Sequence, residues 1–443
     1  MSLPKRQQCP PRALKPQHGA ATLIVTMVFL FSTSIVMLYL NRNVLFEQKT
    51  SATQMRSTKA LEMAEAGIEW ATGMLNAPYD IDANCTLQAT AATSFRKKYV
   101  QTHWGDGTAT SSDVFPLVGT EPGCKINDAS MVTGSSPAAP TQTCSCPTSG
   151  AANLTADQPG FTVSFANTVP YDAEAVLVTS TGCTAQTGAC TSASEASATV
   201  QVILKLRAVL RAAPAAPLTC GTSCAVGNAN NIINQDVATG GVLINAGTSI
   251  TYPPSRMTTI PGLPAENAVI KNDPSLSALS SSDPTCVNSA MFKTYFGSTL
   301  EQYRVSPTTK QISCSSANDC GNKIDAAYDS GWRAFYFTDG LAWNNSSGGS
   351  LGSPTDPVTI VSPTSIDFNG NIDIYGMVFS NSQYSNQLGF GTANIHGASV
   401  SCAAYESNGN GTIEYDAGVL QGIRRSTGVF VRVPGSWTDT VSP

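Results

Sequence analysis

The sequence predicts an α+β chain: a long N-terminal helix, an antiparallel sheet packed on that helix's polar half, and a mainly-β C-terminal region read as a short β-helix. Three observations carry the prediction. Residues Ala20 to Leu40 contain no charge. Three later runs alternate apolar and polar side chains at period two, and a seven-residue stretch beginning at Ile374 recurs at Ile395, an offset of 21.

The uncharged run covers about 31 Å as a helix at 1.5 Å per residue, enough to cross a hydrocarbon core. Lys5, Arg6, Arg12 and Lys15 precede it, so the positive-inside rule holds the N-terminus in the cytoplasm and sends the rest outwards. A cleaved secretory signal is the alternative. Its apolar run would be shorter and would end at a small-residue site, whereas Asn41-Arg42-Asn43 follows here. Val44 to Asn76 has no proline and is rich in Glu, Gln, Lys, Met and Ala, so the helix continues beyond the membrane. Gly73, Asn76 and Pro78 are its stop signals.

Only 12 % of the 443 residues are charged and the net charge is −5. Without the first nineteen residues, 21 basic face 30 acidic side chains, a balance that excludes a nucleic-acid-binding surface. Twelve of the thirteen cysteines follow the membrane run. The short separations of Cys183 and Cys190, Cys220 and Cys224, and Cys314 and Cys320 predict local disulfides in an oxidising compartment, with the wider connectivity unreadable. His18, His103 and His396 are the only histidines, too few and too dispersed for a zinc site.

Residues 80–213 read as a first globular domain with a short helix around Ala91 to Gln101. Its strands are Phe161 to Phe165, Ala175 to Thr179 and Ala198 to Leu206. Residues 104–160 read as long loops stapled through Cys124, Cys144 and Cys146. The proline-stiffened linker 214–217 leads to residues 218–443. There the repeat Ile374-Tyr375-Gly376-Met377-Val378-Phe379-Ser380 and Ile395-His396-Gly397-Ala398-Ser399-Val400-Ser401 suits one rung of a β-helix. Asn369-Gly370-Asn371 and Asn408-Gly409-Asn410-Gly411 supply corners. Ile366, Phe368, Ile372, Ile374, Val378, Ile395, Val400 and Ile413 are expected to stack inward. Gly240 to Gly247 belongs to an early rung, and a helical insertion falls near Ser289 to Tyr303. A β-sandwich with two similar hairpins is the alternative.

No His-Glu-x-x-His, Gly-x-Ser-x-Gly or phosphate-binding Gly-rich motif occurs. His396 reads as a strand-face residue, and His103 has no identifiable partner. Asp319, Asp325 and Asp329, and separately Asp367 and Asp373, are the acid clusters a sugar-cleaving β-helix would need. Turn capping is the simpler reading for each. No calcium loop is spelled out, and Trp332, Phe335, Tyr336 and Trp343 read as core or as a binding patch. The chain is expected to be no enzyme, with no catalytic residue, cofactor or metal.

Where the basic leader ends in His18-Gly19 and Ala20-Ala21-Thr22-Leu23-Ile24-Val25 opens the apolar helix, the sequence resembles a type IV prepilin cleavage site. The stem stretch Ala60-Leu61-Glu62-Met63-Ala64-Glu65-Ala66-Gly67-Ile68-Glu69 is similar to that of PilX-type minor pilins. Phe337 to Gly340, Ser365 to Ser380 and Gly428 to Trp437 resemble the C-terminal region of the same assembly proteins. The resemblance implies a pilin-like architecture and a prepilin leader, residues 1–19, cut by prepilin peptidase between Gly19 and Ala20, with the new amino terminus methylated. It implies that the helix and stem, residues 20–79, move from the inner membrane into a pilus.

Major pilins carry Glu at the fifth mature position, where this chain has Ile24. A subunit without that carboxylate packs poorly as a repeating shaft unit. The implied place is the pilus tip, beside other minor pilins, the major pilin and a PilY-type adhesin. The alternatives are a tip-capping K-like pseudopilin of type II secretion, a membrane-anchored β-helix enzyme acting on polysaccharide, and an unrelated signal-anchored surface protein.

Overall fold

The computed structural model describes residues 19–88, 93–100, 117–127, 141–152, 155–156, 158–172, 174–184, 186–187, 196–282, 290–364, 366–381, 389–390, 393–407 and 410–439. His18, the basic residues before it, His103, Cys190, Asn408 and Gly409 lie outside these. The chain divides into two compact units, Met1–Thr58 and Lys59–Pro443. What is described of the first is α-helix, the opening of the continuous helix Gly19–Asn76.

The second unit begins with the remainder of that helix. Ala60, Ala64, Gly67 and Ala71, at alternating spacings of four and three, are all buried, so one face of the helix is lined by small residues. It lies on an antiparallel sheet at very short range. A Cβ on Gly67 would stand 2.1 Å from Ser180 Oγ, and one on Gly182 would stand 2.2 Å from both the Ala60 carbonyl oxygen and the Ala64 amide nitrogen. Ile68, Phe161, Val163, Phe165, Val178 and Val202 fill the core between helix and sheet.

The order of that sheet is Gly428–Arg432, Ser197–Ala208, Ala175–Cys183, Gly160–Asn167, Gly123–Asn127, Thr141–Ser145, with every neighbour antiparallel. The three central strands are those the alternation predicts. Two features correct the expected boundaries. Within 104–160, Gly123–Asn127 and Thr141–Ser145 are strands rather than loop, and Cys124 faces Cys144 directly across the ladder. Backbone pairing and the disulfide hold two strands whose side chains carry little apolar pattern. The strand Gly428–Arg432 pairs with Leu204–Ala208, so the chain beyond 218 does not end in its own domain but returns to close the first sheet.

The outer edge of this last strand is covered. The Asn76 side-chain amide donates to the Phe430 carbonyl at 2.9 Å and accepts from the Phe430 amide at 2.7 Å, as a neighbouring strand would. Arg96, in the short helix Phe95–Tyr99, donates through Nη2 to the Gly428 carbonyl and through Nε to the Leu75 carbonyl. One guanidinium thus occupies a helix terminus and a sheet edge that would otherwise keep unpaired acceptors. Burial lowers its pKa to about 10, which leaves it charged at neutral pH.

From Leu218 the pairing turns parallel. One row of strands runs Val269–Ile270, Ile244–Ala246, Leu218–Cys220, residues 399–401, residues 376–380, Val358–Ser362, Ala334–Phe337, Thr309–Ile312. The first strand after the linker therefore sits in the middle, against the last strands of the region. Asn231–Ile233 repeats this placement, between Met257–Thr258 and residues 412–414.

Ile374 pairs with Ile395 and Gly376 with Gly397, the offset of the internal match. The shared glycine has a steric cause: a Cβ on Gly397 would stand 2.1 Å from the Gly376 carbonyl oxygen, and one on Gly376 2.0 Å from that of Val358. Gly370 adopts φ +144° inside the strand Ile366–Ser380.

Seven of the eight expected inward residues, all but Val400, share one core. Val400 is buried on the opposite side, with Met377, Phe379 and Ala398. Alternation explains the difference: with Ile395 inward, positions 399 and 401 point inward and 398 and 400 outward. The outward set is roofed by Phe292 and Phe296 of the helical insertion and by Leu420 and Ile423. The insertion consists of Ala290–Phe296 and Leu300–Arg304, and three further helices, Pro274–Ser282, Ala317–Asp329 and Ala417–Ser426, lie outside the expected one.

Disulfides join Cys220 to Cys224, Cys314 to Cys320, Cys124 to Cys144 and Cys85 to Cys146. Cys183 is also disulfide-bonded.

Candidate assembly interface on the N-terminal helix

The helix from Thr22 to Asn76 is long and apolar enough to cross a membrane. Every residue from Thr22 to Thr58 is exposed, including Leu23, Met27, Phe31, Leu38 and Phe46. Polar residues inside the apolar stretch hide their hydroxyls on the helix itself: Thr26 donates to the Thr22 and Leu23 carbonyls, Ser32 to Val28 and Thr33 to Phe29. In lipid, such back-bonding removes a donor that would otherwise be stranded.

Gly19 and Ala20 are the first helical residues. Ile24 is 62 % exposed, so an apolar surface stands where a carboxylate is absent.

Further along, the stretch 60–69 divides by face. Its Ala and Gly positions meet the sheet, while Glu62, Glu65 and Glu69 are exposed. Glu69 pairs with Arg432 at 2.7 Å. In the sequence these residues stand out only as a motif. Their spacing of three and four was the available signal for an outward acidic stripe. In the sequence Asn76 signals only a stop and Arg96 carries no signal, because Phe430 and Gly428, their partners at the sheet edge, lie more than three hundred residues away.

The remaining candidates fall into structural roles. His396 stacks on Tyr375 at 4.5 Å, and its Nδ1 lies 3.1 Å from Glu414 Oε2, so Tyr375, His396 and Glu414 form a ladder across three paired strands. Asp319 accepts from Ser315 and pairs with Lys323; the Lys323 contact holds its carboxyl down at about 2. Asp325 is pushed up by burial and by Asp329. Asp373 accepts from Asn394 at 2.7 Å. Phe335 and Trp343 are core, Tyr336 is buried, and Trp332 is partly buried against the core. No group of three potential metal ligands occurs among the described residues.

Residues 18–69 match the family model described as PilX N-terminal. Among solved structures, a similar chain is the competence-associated pilin ComZ from Thermus thermophilus. It is 11 % identical, the alignment covers 86 % of this chain and 97 % of that one, and the TM-score is 0.20. No curated protein matches the chain. Residues 18–69, then, are similar to the PilX N-terminal family segment.

Proposed function

We propose that the chain is a minor pilin that is cut after Gly19, methylated at Ala20 and lodged near the pilus tip, where it helps prime assembly with other minor pilins and a PilY-type adhesin. The observation that supports this most is the apolar helix left uncovered from Thr22 onward. Each large apolar side chain in water costs about 1.5–3 kcal/mol relative to burial, so the helix belongs either in lipid or among like helices. Leaving one for the other keeps it buried, and Ile24 makes the transfer free of a carboxylate that would need a partner. The parallel C-terminal stack, read as a β-helix, is then cargo held outside the cell. The process is non-covalent; the only chemistry is performed on this chain by the peptidase and the methylating enzyme.

N-terminal sequencing of the protein from sheared surface fibres tests the reading. A methylated Ala20 start is expected. An intact leader in that fraction, or a chain that stays wholly bilayer-bound in piliated cells, overturns it. Ile24→Glu is expected to raise the copy number per fibre, and an unchanged number removes the argument for the tip.

A further inference from the structure

At the joint between the antiparallel sheet and the parallel stack lies a cavity of about 60 Å³, whose wall includes Ser94, Arg96, Lys97, Thr308, Arg333 and Asp356. The first three belong to the short helix Phe95–Tyr99 and its cap, and the others each precede a strand of the stack. Since one water needs about 10–15 Å³ of such space, the cavity suits a group of about five non-hydrogen atoms. Three of the residues lining it are cations and one is an acid.

Arg333 Nη2 and Lys97 Nζ both donate to Asp356 Oδ2, at 2.7 and 2.8 Å, so the two nitrogens stand close enough for one oxyanion to bridge them. Each has hydrogens to spare. Lys97 Nζ carries three and gives one to Asp356; Arg333 Nη2 carries two and gives one to the same oxygen. Arg333 Nη1 spends its pair on the Tyr328 and Trp332 carbonyls, which fixes the guanidinium in place. Arg96 donates to the Leu75 and Gly428 carbonyls, which carry no charge. Asp80 acts on Arg333 too, but from outside the wall and less than Asp356 does. Cations gathered in a partly buried space repel one another, and an anion placed among them offsets that cost.

We propose that this cavity binds a tetrahedral oxyanion of the phosphate class, held by Lys97 Nζ and Arg333 Nη2 through charge-assisted hydrogen bonds. The surplus of two positive charges matches a dianion better than a single carboxylate. Once bound, the ion links the helix Phe95–Tyr99 to the parallel stack a second time, beside Asp356, and so braces the joint between the sheets. The site does not depend on reading the chain as a pilin.

The test is isothermal titration of the full-length chain in detergent, at neutral pH and constant ionic strength, with inorganic phosphate as ligand and sodium chloride and sodium acetate as controls. Saturable binding of one phosphate per chain is expected, and none of either control. Lys97→Gln removes one donor and is expected to weaken binding at least about tenfold, as loss of a hydrogen bond to a charged group does; Lys97→Arg is expected to keep it. Asp356→Asn removes the acid from the wall and is expected to tighten binding about tenfold even as it loosens the joint, a gain that a purely structural cluster would not show. Circular dichroism establishes that each variant is folded, and if Asp356→Asn is not, the two Lys97 variants decide. Glycerol 3-phosphate identifies the source: binding equal to that of phosphate assigns the site to a phosphate ester, and binding of phosphate alone assigns it to the free ion. The proposal is overturned by absence of saturable phosphate binding, by binding that chloride or acetate reproduces, or by an affinity unchanged in Lys97→Gln.

Discussion

The two large sheets of the second unit obtain their cores in opposite ways. The parallel stack supplies most of its own inner core: each strand is flanked by strands like it, as Ile374 is by Ile395 and Leu351, and its inward side chains meet one another and the helix Ala317–Asp329. The antiparallel sheet depends on remote pieces of chain. A helix from the N-terminal side, Ala60 to Leu75, covers one face, and Gly428–Arg432 closes one edge. A sheet covered by its own repeats draws mainly on neighbouring rungs, whereas one covered by both ends of the chain pays the entropy of two long loops. The parallel stack has one such debt of its own, since Leu218–Cys220 pairs with residues 399–401.

Breaking the long-range closure should therefore weaken the antiparallel sheet first. Phe430 is 2 % exposed in its core, and Phe430→Ala is expected to cost about 4 kcal/mol. In hydrogen exchange of the full chain in detergent, amides of Ser197–Ala208 should lose protection well before those of Val358–Ser362. Equal loss in both would mean that the two sheets unfold as one and that the contrast has no energetic content.

The helix contact gives a finer test. Gly182→Ala drives a methyl group into the backbone at Ala60 and Ala64, which cannot yield, so the helix must lift. About 3 kcal/mol is expected, at the upper end for overpacking. Gly67→Ala meets chiefly the Ser180 hydroxyl and the edge of Phe161, side chains that have some freedom to turn, and gains about 1 kcal/mol of helix propensity. It should fall within about 1 kcal/mol of the parent in chemical denaturation. If the two substitutions cost the same, the close approach is not what the small residues serve.

The same contrast explains what could be read in advance. The apolar run, the three alternating strands and the 21-residue offset are local patterns, and each reappears as an element or a register. Even Val400 was readable, since counting by twos from Ile395 turns it away from the core. The final strand was not. Val429, Phe430 and Val431 look alike whether they extend the parallel stack or cross to the antiparallel sheet, and only the remote Leu206 and Asn76 decide. In the candidate interface, the apolar helix and Ile24 were legible because membrane burial is a property of composition. The division of 60–69 into a sheet-facing and an outward face needed the sheet.

Where the two sheets meet, one carboxylate ties them. Asp356 accepts from Lys97 Nζ at 2.8 Å, from Arg333 Nε at 2.8 Å and from Arg333 Nη2 at 2.7 Å, so a short helix beside the antiparallel sheet is joined to the parallel stack. Burial pushes its pKa up, but the hydrogen bonds and charges of Arg333 and Lys97 outweigh burial and leave it below the usual value. Asp356→Asn keeps the shape and removes the charge. Arg333 retains the Tyr328 and Trp332 carbonyls and the Tyr328 ring at 3.8 Å, which limits the loss to about 2 kcal/mol. A lowered folded-state pKa means that the contribution is complete above the unfolded value of 3.8 and is lost as pH falls through the folded one. The stability gap between parent and variant should therefore be level from about pH 5 to 8 and shrink below about pH 4. A gap that stays constant into acid, measured from unfolding midpoints, would mean that the two sheets are joined by packing and not by this charge.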